Sequence, residues 1–328
     1  MQTTQFLTPM PLPLQINPPY SLDPRGPGAA HIADLWWIMF FLGTAIFLLV
    51  AGLMFFGLFG RQDQSAPNEQ QGLRWIMLGG IVMPAIVLLV VFGITIRSAV
   101  LNANEVGTGE ITVEVVGHRW WWEVHYPEHS VVTANEIHLP VGVPVEFILR
   151  SNDVIHSFWV PQLGGKMDLI PGRQNTLILQ ADEAGIYRGE CAEFCGLQHA
   201  RMHFMVIAHT TEEFEQWIES QQAVAVQPQG ELARRGEQVF ISAGCVYCHT
   251  IDGLDDGAVD RSDSDLGPNL THLASRTTIA AGTLENNRGN LSGWIANPHG
   301  IKPGVLMPAT LLPGEDLQAL VTYLETLQ

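Results

Sequence analysis

Charge is scarce in the first hundred residues of this 328-residue chain, which hold four basic and four acidic side chains. Residues 35–60 and 75–96 carry none at all. Each run exceeds the roughly 20 residues that span a bilayer, which excludes a fully water-borne N-terminal region. Cysteine is equally sparse: the chain has four, in two close pairs. The first 30 residues lack a basic segment followed by an apolar core, so no standard signal peptide is expected there. No internal repeat is visible, which excludes a solenoid.

The remainder of the chain is different. Residues 101–328 hold 12 basic and 29 acidic side chains and account for the whole net charge of −17. A neutral apolar front and an acidic rear predict a membrane anchor carrying a water-facing part. The acidity disfavours nucleic acid and favours a basic protein partner. Loop 61–74 sets Arg61 and Arg74 against Asp63 and Glu69, so it gives little positive-inside signal. Beyond the second apolar run, Ile111, Val113 and Val115 alternate with polar residues, as do Val145, Phe147 and Leu149, and Leu177 and Leu179. Short period-2 strands punctuated by Pro and Gly predict a β-sandwich or barrel. A helix is expected over 211–219, then a Gln/Ala/Pro-rich linker over 220–230. Helices are expected over 231–243 and 315–327, the latter with Leu317, Leu320, Val321, Leu324 and Leu327 on one face.

Cys245-Val246-Tyr247-Cys248-His249 is the C-x-x-C-H haem-attachment motif. Two thiols add to the two vinyl groups of one haem, and the adjacent His reaches the iron. A zinc site would want a second ligand pair, and this part of the chain has no other Cys. Met307, in Val305-Leu306-Met307-Pro308, is the single Met after residue 205. It is the expected sixth ligand, since His/Met ligation is usual in cytochromes c; His272 and His299 are the other candidates. Gly236, Phe240, Gly267-Pro268-Asn269-Leu270 and the terminal helix resemble the class I cytochrome c fold.

Residues 191–202, Cys-Ala-Glu-Phe-Cys-Gly-Leu-Gln-His-Ala-Arg-Met, are denser still. Two thiols, an imidazole and a thioether at C-x3-C-x3-H-x2-M select copper over hard cations. A second Cys lets two thiolates bridge two coppers, each of which wants a His. His156, after an apolar strand, is the expected distant one.

With Gly117-His118-Arg119-Trp120-Trp121-Trp122, Gly164-Gly165-Lys166-Met167-Asp168 and Pro171-Gly172-Arg173 added, nearly the whole chain resembles subunit II of cytochrome c oxidase, with a cytochrome c fused behind it. The resemblance implies a two-helix transmembrane hairpin (35–97) after an N-terminal extracytoplasmic segment (1–34). A cupredoxin-like CuA domain (105–219), the linker (220–230) and an all-α cytochrome c domain (231–328) would follow. It further implies that Cys191 and Cys195 bridge the binuclear CuA, that His156 and His199 bind one copper each, and that Met202 and the Glu193 carbonyl are weak ligands. The Glu193 carboxylate would reach a magnesium shared with subunit I, and Trp120 would be the aromatic through which electrons arrive.

Covalent haem attachment in bacteria occurs outside the cytoplasm, so the soluble part is expected on the outer, periplasmic side of the cell membrane, with the N-terminus also outside. Neither apolar run contains a His, so the chain cannot reduce oxygen alone. The expected function is an electron relay from a donor, such as a cytochrome c or a quinol–cytochrome c reductase complex, through haem c and CuA to a proton-pumping subunit I, with subunit III alongside. The alternatives are the CuA subunit of a nitric oxide reductase and a membrane-anchored copper chaperone; the latter explains neither Met202 nor the fused cytochrome. One departure stands out. Mitochondrial-type members carry a Glu three residues before the Trp opening the second span, at the mouth of a proton pathway. Here Gly72 precedes Trp75, and Glu69 is the nearest carboxylate.

Overall fold

The computed structural model describes residues 20–60, 69–105, 109–255 and 266–328. Helix α1 runs from Pro27 to Phe59. The second apolar segment is α2 (Glu69–Met77), one π-helical stretch (Leu78–Val82) and α3 (Met83–Glu105). Both segments are exposed apolar helices long enough to cross a membrane. Glu69 stands in the first turn of α2, about one helical turn ahead of Gly72. Helix α1 begins before its uncharged run because its first turns rest on protein: Ala29 and Ala33 are buried. The Ala29 amide donates to the Leu163 carbonyl at 3.2 Å, and the Arg25 amide to that of Gln162 at 2.7 Å. A Cβ on Gly26 would lie 2.2 Å from the Gln180 carbonyl oxygen, so only Gly lets the helix start this close.

Ten strands follow: β1 (Ile111–His118), β2 (Trp121–Tyr126), β3 (Val131–Ala134), β4 (Glu136–Pro140), β5 (Val145–Ser151), β6 (His156–Trp159), β7 (Met167–Leu169), β8 (Asn175–Leu179), β9 (Gly185–Cys191) and β10 (His203–His209). They form two five-stranded sheets, ordered β3-β2-β1-β5-β8 and β4-β10-β9-β6-β7. The pairs β1–β5 and β4–β10 are parallel. This is the expected cupredoxin-like sandwich. In β1, Val113 and Val115 point inward while Thr112 and Glu114 are half-exposed, the alternation a half-buried strand requires. In the core beside His156, Phe158 stacks on Phe204 and Trp122 packs edge-to-face against both. His118 and His138 are buried and hydrogen-bonded, to Glu123 and His209 respectively.

Helix α4 (Thr211–Gln221) opens with a capping box in which Thr210 and Glu213 each satisfy the other's backbone amide. It is followed by α5 (Glu231–Ser242), a two-stranded ladder of β11 (Thr278–Ile279) and β12 (Leu284–Glu285), α6 (Arg288–Ala296), α7 (Pro298–Ile301) and α8 (Gly314–Leu324). The first and last helices of this helical domain cross at Gly236, where a Cβ would lie 2.1 Å from the Ala319 carbonyl oxygen. Phe240 packs edge-on to Tyr323 there, at 6.1 Å.

The stretch 220–230 differs from the flexible tether that its composition suggests. Gln221 and Ala225 are buried. The Gln221 carbonyl accepts from His272 Nε2 at 3.1 Å, and the Ala225 amide donates to the Asp252 carbonyl at 2.9 Å. Small and amide side chains make a coil in isolation, but they also fit a groove that a neighbouring domain provides.

The cytochrome-like domain sits against the sandwich. The Glu136 carboxylate at the head of β4 accepts from the Thr277 amide at 2.8 Å and the Thr278 amide at 3.0 Å. The His203 amide donates to the Ala281 carbonyl at 3.1 Å. Gln198 Nε2 donates to the Pro303 carbonyl at 2.7 Å.

Candidate functional site

The sandwich brings two loops together. His156 opens β6, Cys191 closes β9, and Cys195, His199 and Met202 follow on the loop between β9 and β10. Sγ of Cys191 and Cys195 are 3.7 Å apart. Cys191 Sγ lies 3.9 Å from His156 Nδ1 and 3.2 Å from the Glu193 carbonyl. Cys195 Sγ lies 3.7 Å from His199 Nδ1 and 3.8 Å from Met202 Sδ. All six sequence-nominated groups therefore converge on the two sulfurs. His156 and Met202 are fully enclosed, while His199 is half-buried beneath the exposed ring of Phe194. The hydrogen bond from the Cys195 thiol, working against burial, pulls the Cys191 thiol far below its ordinary pKa, toward the thiolate a soft metal needs; Cys195 is pushed up beside it. Soft sulfur and imidazole donors on a dry wall fit copper.

His156 is held from behind. Its Nε2 donates to Asp153 Oδ1 at 2.8 Å, which leaves Nδ1 to face the sulfurs. Burial opposes the Asp153 carboxylate. Hydrogen bonds from His156 and from the Val154 and Arg119 amides outweigh it and keep its pKa at about 2. Asp153 thus ties a nominated ligand to the peptide that carries Trp120. The Trp120 indole Nε1 donates to the Cys195 carbonyl at 3.0 Å, and Gly196 lies under its ring, where a Cβ would come within 3.1 Å.

On its far side Trp120 borders a cavity of about 300 Å³. Cys245, Cys248, His249, Pro268, Trp294 and Met307 line it from the helical domain, and Arg119, Trp121 and Asn135 from the sandwich. A smaller cavity of about 90 Å³ is also lined by Cys245, His249 and Met307, together with Phe240, Leu291 and Leu320. His249 Nδ1 donates to the Pro268 carbonyl at 2.8 Å, so Nε2 is the nitrogen left for a metal. Burial pushes the imidazole pKa down, outweighing that carbonyl. A Cβ on Gly267 would lie 2.8 Å from the His249 ring. This tightness explains the Gly before Pro268. Two thiols, a neutral imidazole and a thioether around an apolar slot fit a covalently held haem. Neither His272 nor His299 borders either cavity: His272 is occupied by Gln221, and His299 is exposed on α7.

Comparison with known proteins gives both soluble domains a family. Residues 130–209 match the family model described as cytochrome c oxidase subunit II, periplasmic domain, and residues 233–328 match that of cytochrome c. Cytochrome c oxidase subunit 2 of Alkalihalophilus pseudofirmus is 36% identical over 319 residues, covering 94% of this chain and 90% of that one. The chain belongs to the cytochrome c oxidase subunit II family. Subunit 2 of Bacillus subtilis is 31% identical, over 81% of this chain and 78% of its own. The crystal structure of the periplasmic domain of subunit II of cytochrome oxidase from Bradyrhizobium japonicum is 29% identical, covering 36% of this chain and 96% of that one, with a TM-score of 0.35. This subunit II is thus an electron-transfer component of a cytochrome c oxidase, an oxidoreductase, and it associates with the other oxidase subunits.

Sequence reasoning passed over Asp153, Glu136, Lys302 and the Pro268 carbonyl. Asp153, three residues before His156, carried a usable signal, because a carboxylate near a ligand His is a common supporting partner. The other three act through contacts that no local spacing reveals.

Proposed function

We propose that this subunit carries a binuclear CuA on His156, Cys191, Cys195, His199, Met202 and the Glu193 carbonyl, and a haem c on Cys245, Cys248, His249 and Met307. The haem iron and the copper pair, when bound, supply two one-electron carriers in series. The chain's own residues hold that series in place. Asp153 orients His156, the Pro268 carbonyl orients His249, and Trp120 fills the gap between the haem slot and the copper loop. The single observation that carries this reading is Trp120 itself: its indole bonds to the carbonyl of Cys195, and it borders the haem cavity. The Glu193 carboxylate is exposed beyond the copper loop, a position suited to a magnesium shared with subunit I. The soluble domains face the outer side of the bacterial membrane. Electrons come from a cytochrome c or a quinol–cytochrome c reductase complex, and subunit I, with subunit III beside it, reduces oxygen and pumps protons.

Metal analysis and a haem-stained denaturing gel of the purified oxidase test the assignment. The expected result is two coppers and one covalent haem in this chain. One copper, zinc in the Cys191/Cys195 loop, or no covalent haem would refute it.

A further inference from the structure

Lys302 is an unusual residue in this protein. The chain has two lysines, and the other, Lys166, lies at the surface beside Asp168. Lys302 follows α7 and is 1% exposed. Its Nζ donates to the Trp120 carbonyl at 3.1 Å and to the Ala280 carbonyl at 3.1 Å. One acceptor belongs to the sandwich and the other to the helical domain. Among the described residues its hydrogen-bond partners are carbonyls and not a carboxylate. An ammonium buried without a counter-ion is costly, and burial first, then the nearby Arg201, pushes its pKa down to about 7. A neutral amine still offers two hydrogens, one for each carbonyl, so the bridge survives loss of the charge.

The surroundings are built to the same end. Ala280 and Ala281 sit at φ +54 and +55, a region that non-glycine residues rarely adopt. This turn presents the Ala280 carbonyl to Lys302 and the Ala281 carbonyl to the His203 amide. Just beyond Lys302, a Cβ on Gly304 would lie 3.0 Å from the Leu197 side chain and 3.8 Å from the Trp120 ring. The chain at 301–304 therefore lies directly on the copper loop. Across the same contact Glu136 of the sandwich accepts from Thr277 and Thr278, the same donor-to-acceptor direction as the Lys302–Trp120 bond.

We propose that Lys302 is the positioning residue for haem-to-copper transfer: by joining the Trp120 carbonyl to the Ala280 carbonyl, it seats the haem slot on Trp120 and makes the fused cytochrome a fixed donor. This rests on the copper and haem assignments above. The transfer moves one electron from ferrous haem to the oxidised copper pair. No bond forms or breaks in Trp120 or Lys302, and no proton moves. A seated domain also covers Trp120, so an external cytochrome must deliver to the haem and not to the copper side.

Two measurements on the purified, assembled oxidase test this. The first is amine-directed reductive methylation of the wild type, read by mass spectrometry. A depressed pKa makes Lys302 the better nucleophile, so only enclosure can protect it. Lys166 is expected to react at least about tenfold faster, because labelling of Lys302 waits for an opening event. Equal rates would overturn the proposal. The second is Lys302→Met, with an electron photoinjected into the haem and its arrival at copper followed optically. A drop of about tenfold or more is expected, since small misplacements are costly in rate. The haem α-band and the copper near-infrared band should be unchanged, and direct reduction of copper by a small ruthenium complex should be no slower. Wild-type transfer with both centres intact would overturn the proposal. If the variant loses a centre, the labelling result decides alone. Failure of the underlying assignment shows separately, in the copper and haem counts of the wild type.

Discussion

Asp153 offers the sharpest test of how the copper site is supported, through Asp153→Asn. The carboxylate is 22% exposed at its side chain and accepts from four donors: His156 Nε2 at 2.8 Å, the Val154 amide at 2.6 Å, the Arg119 amide at 2.7 Å and Arg119 Nε at 3.4 Å. An asparagine oxygen can replace Oδ1 and keep His156 and Val154. Its NH2 then faces the Arg119 amide donor to donor. A hydrogen bond to a charged group contributes about 1.5–3 kcal/mol. Partial exposure screens some of that, so a loss of about 1–2 kcal/mol in fold stability is expected. The His156 imidazole also loses a charged partner, which makes it a poorer donor to metal. Loss of such support typically weakens metal binding 10–100-fold, about 1.4–2.7 kcal/mol. The assay is competition for copper against a graded chelator on the purified oxidase, with electron paramagnetic resonance of the copper and the haem spectrum as internal control. Unchanged copper affinity together with an unchanged copper spectrum would refute the orienting role of Asp153.

Other outcomes follow from single contacts. Met307→Ala should leave the haem attached through Cys245 and Cys248, lower its potential and abolish the sulfur–iron charge-transfer band; a retained band would move the sixth ligand elsewhere. Glu123 is half-buried, but hydrogen bonds from His118 and His125 overcome the cost of that burial and hold its pKa at about 2, below its ordinary 4.5. A depressed carboxylate stabilises the fold above its unfolded pKa and loses that contribution as pH falls toward the folded value. The stability gap between wild type and Glu123→Gln, about 2 kcal/mol after screening, should therefore be full near neutral pH and close between pH 4.5 and about 2; a gap independent of pH in calorimetry would contradict it. Gly236→Ala places a Cβ 2.1 Å from the Ala319 oxygen and should destabilise the helical domain by about 3 kcal/mol, read as a lowered thermal midpoint of the haem band with copper unaffected. If the loop before the second span feeds protons, Glu69→Gln should slow oxygen turnover with no loss of haem or copper, and wild-type turnover across pH would assign proton uptake to the large subunit alone.

The parts of this protein legible in one dimension are those whose chemistry is local. C-x-x-C-H must be contiguous because two thiols and an imidazole meet one haem. C-x3-C-x3-H-x2-M is contiguous because one loop gathers two thiols, an imidazole and a thioether, and only His156 had to be sought elsewhere. The apolar spans and the alternating strands announce themselves by length and period. The relation between the two domains was not legible. Glu136 meets Thr277 across 141 positions and Lys302 meets Trp120 across 182. No spacing rule connects residues that far apart, and a lone Lys or Glu on paper looks like a solvated charge. The 220–230 stretch makes the same point from composition: Gln, Ala and Pro describe a loose tether until His272 and Asp252 take up its backbone. Each amide or ammonium there had a free choice between water and protein, and burial against a partner surface, which exists only once both domains have folded, settled that choice.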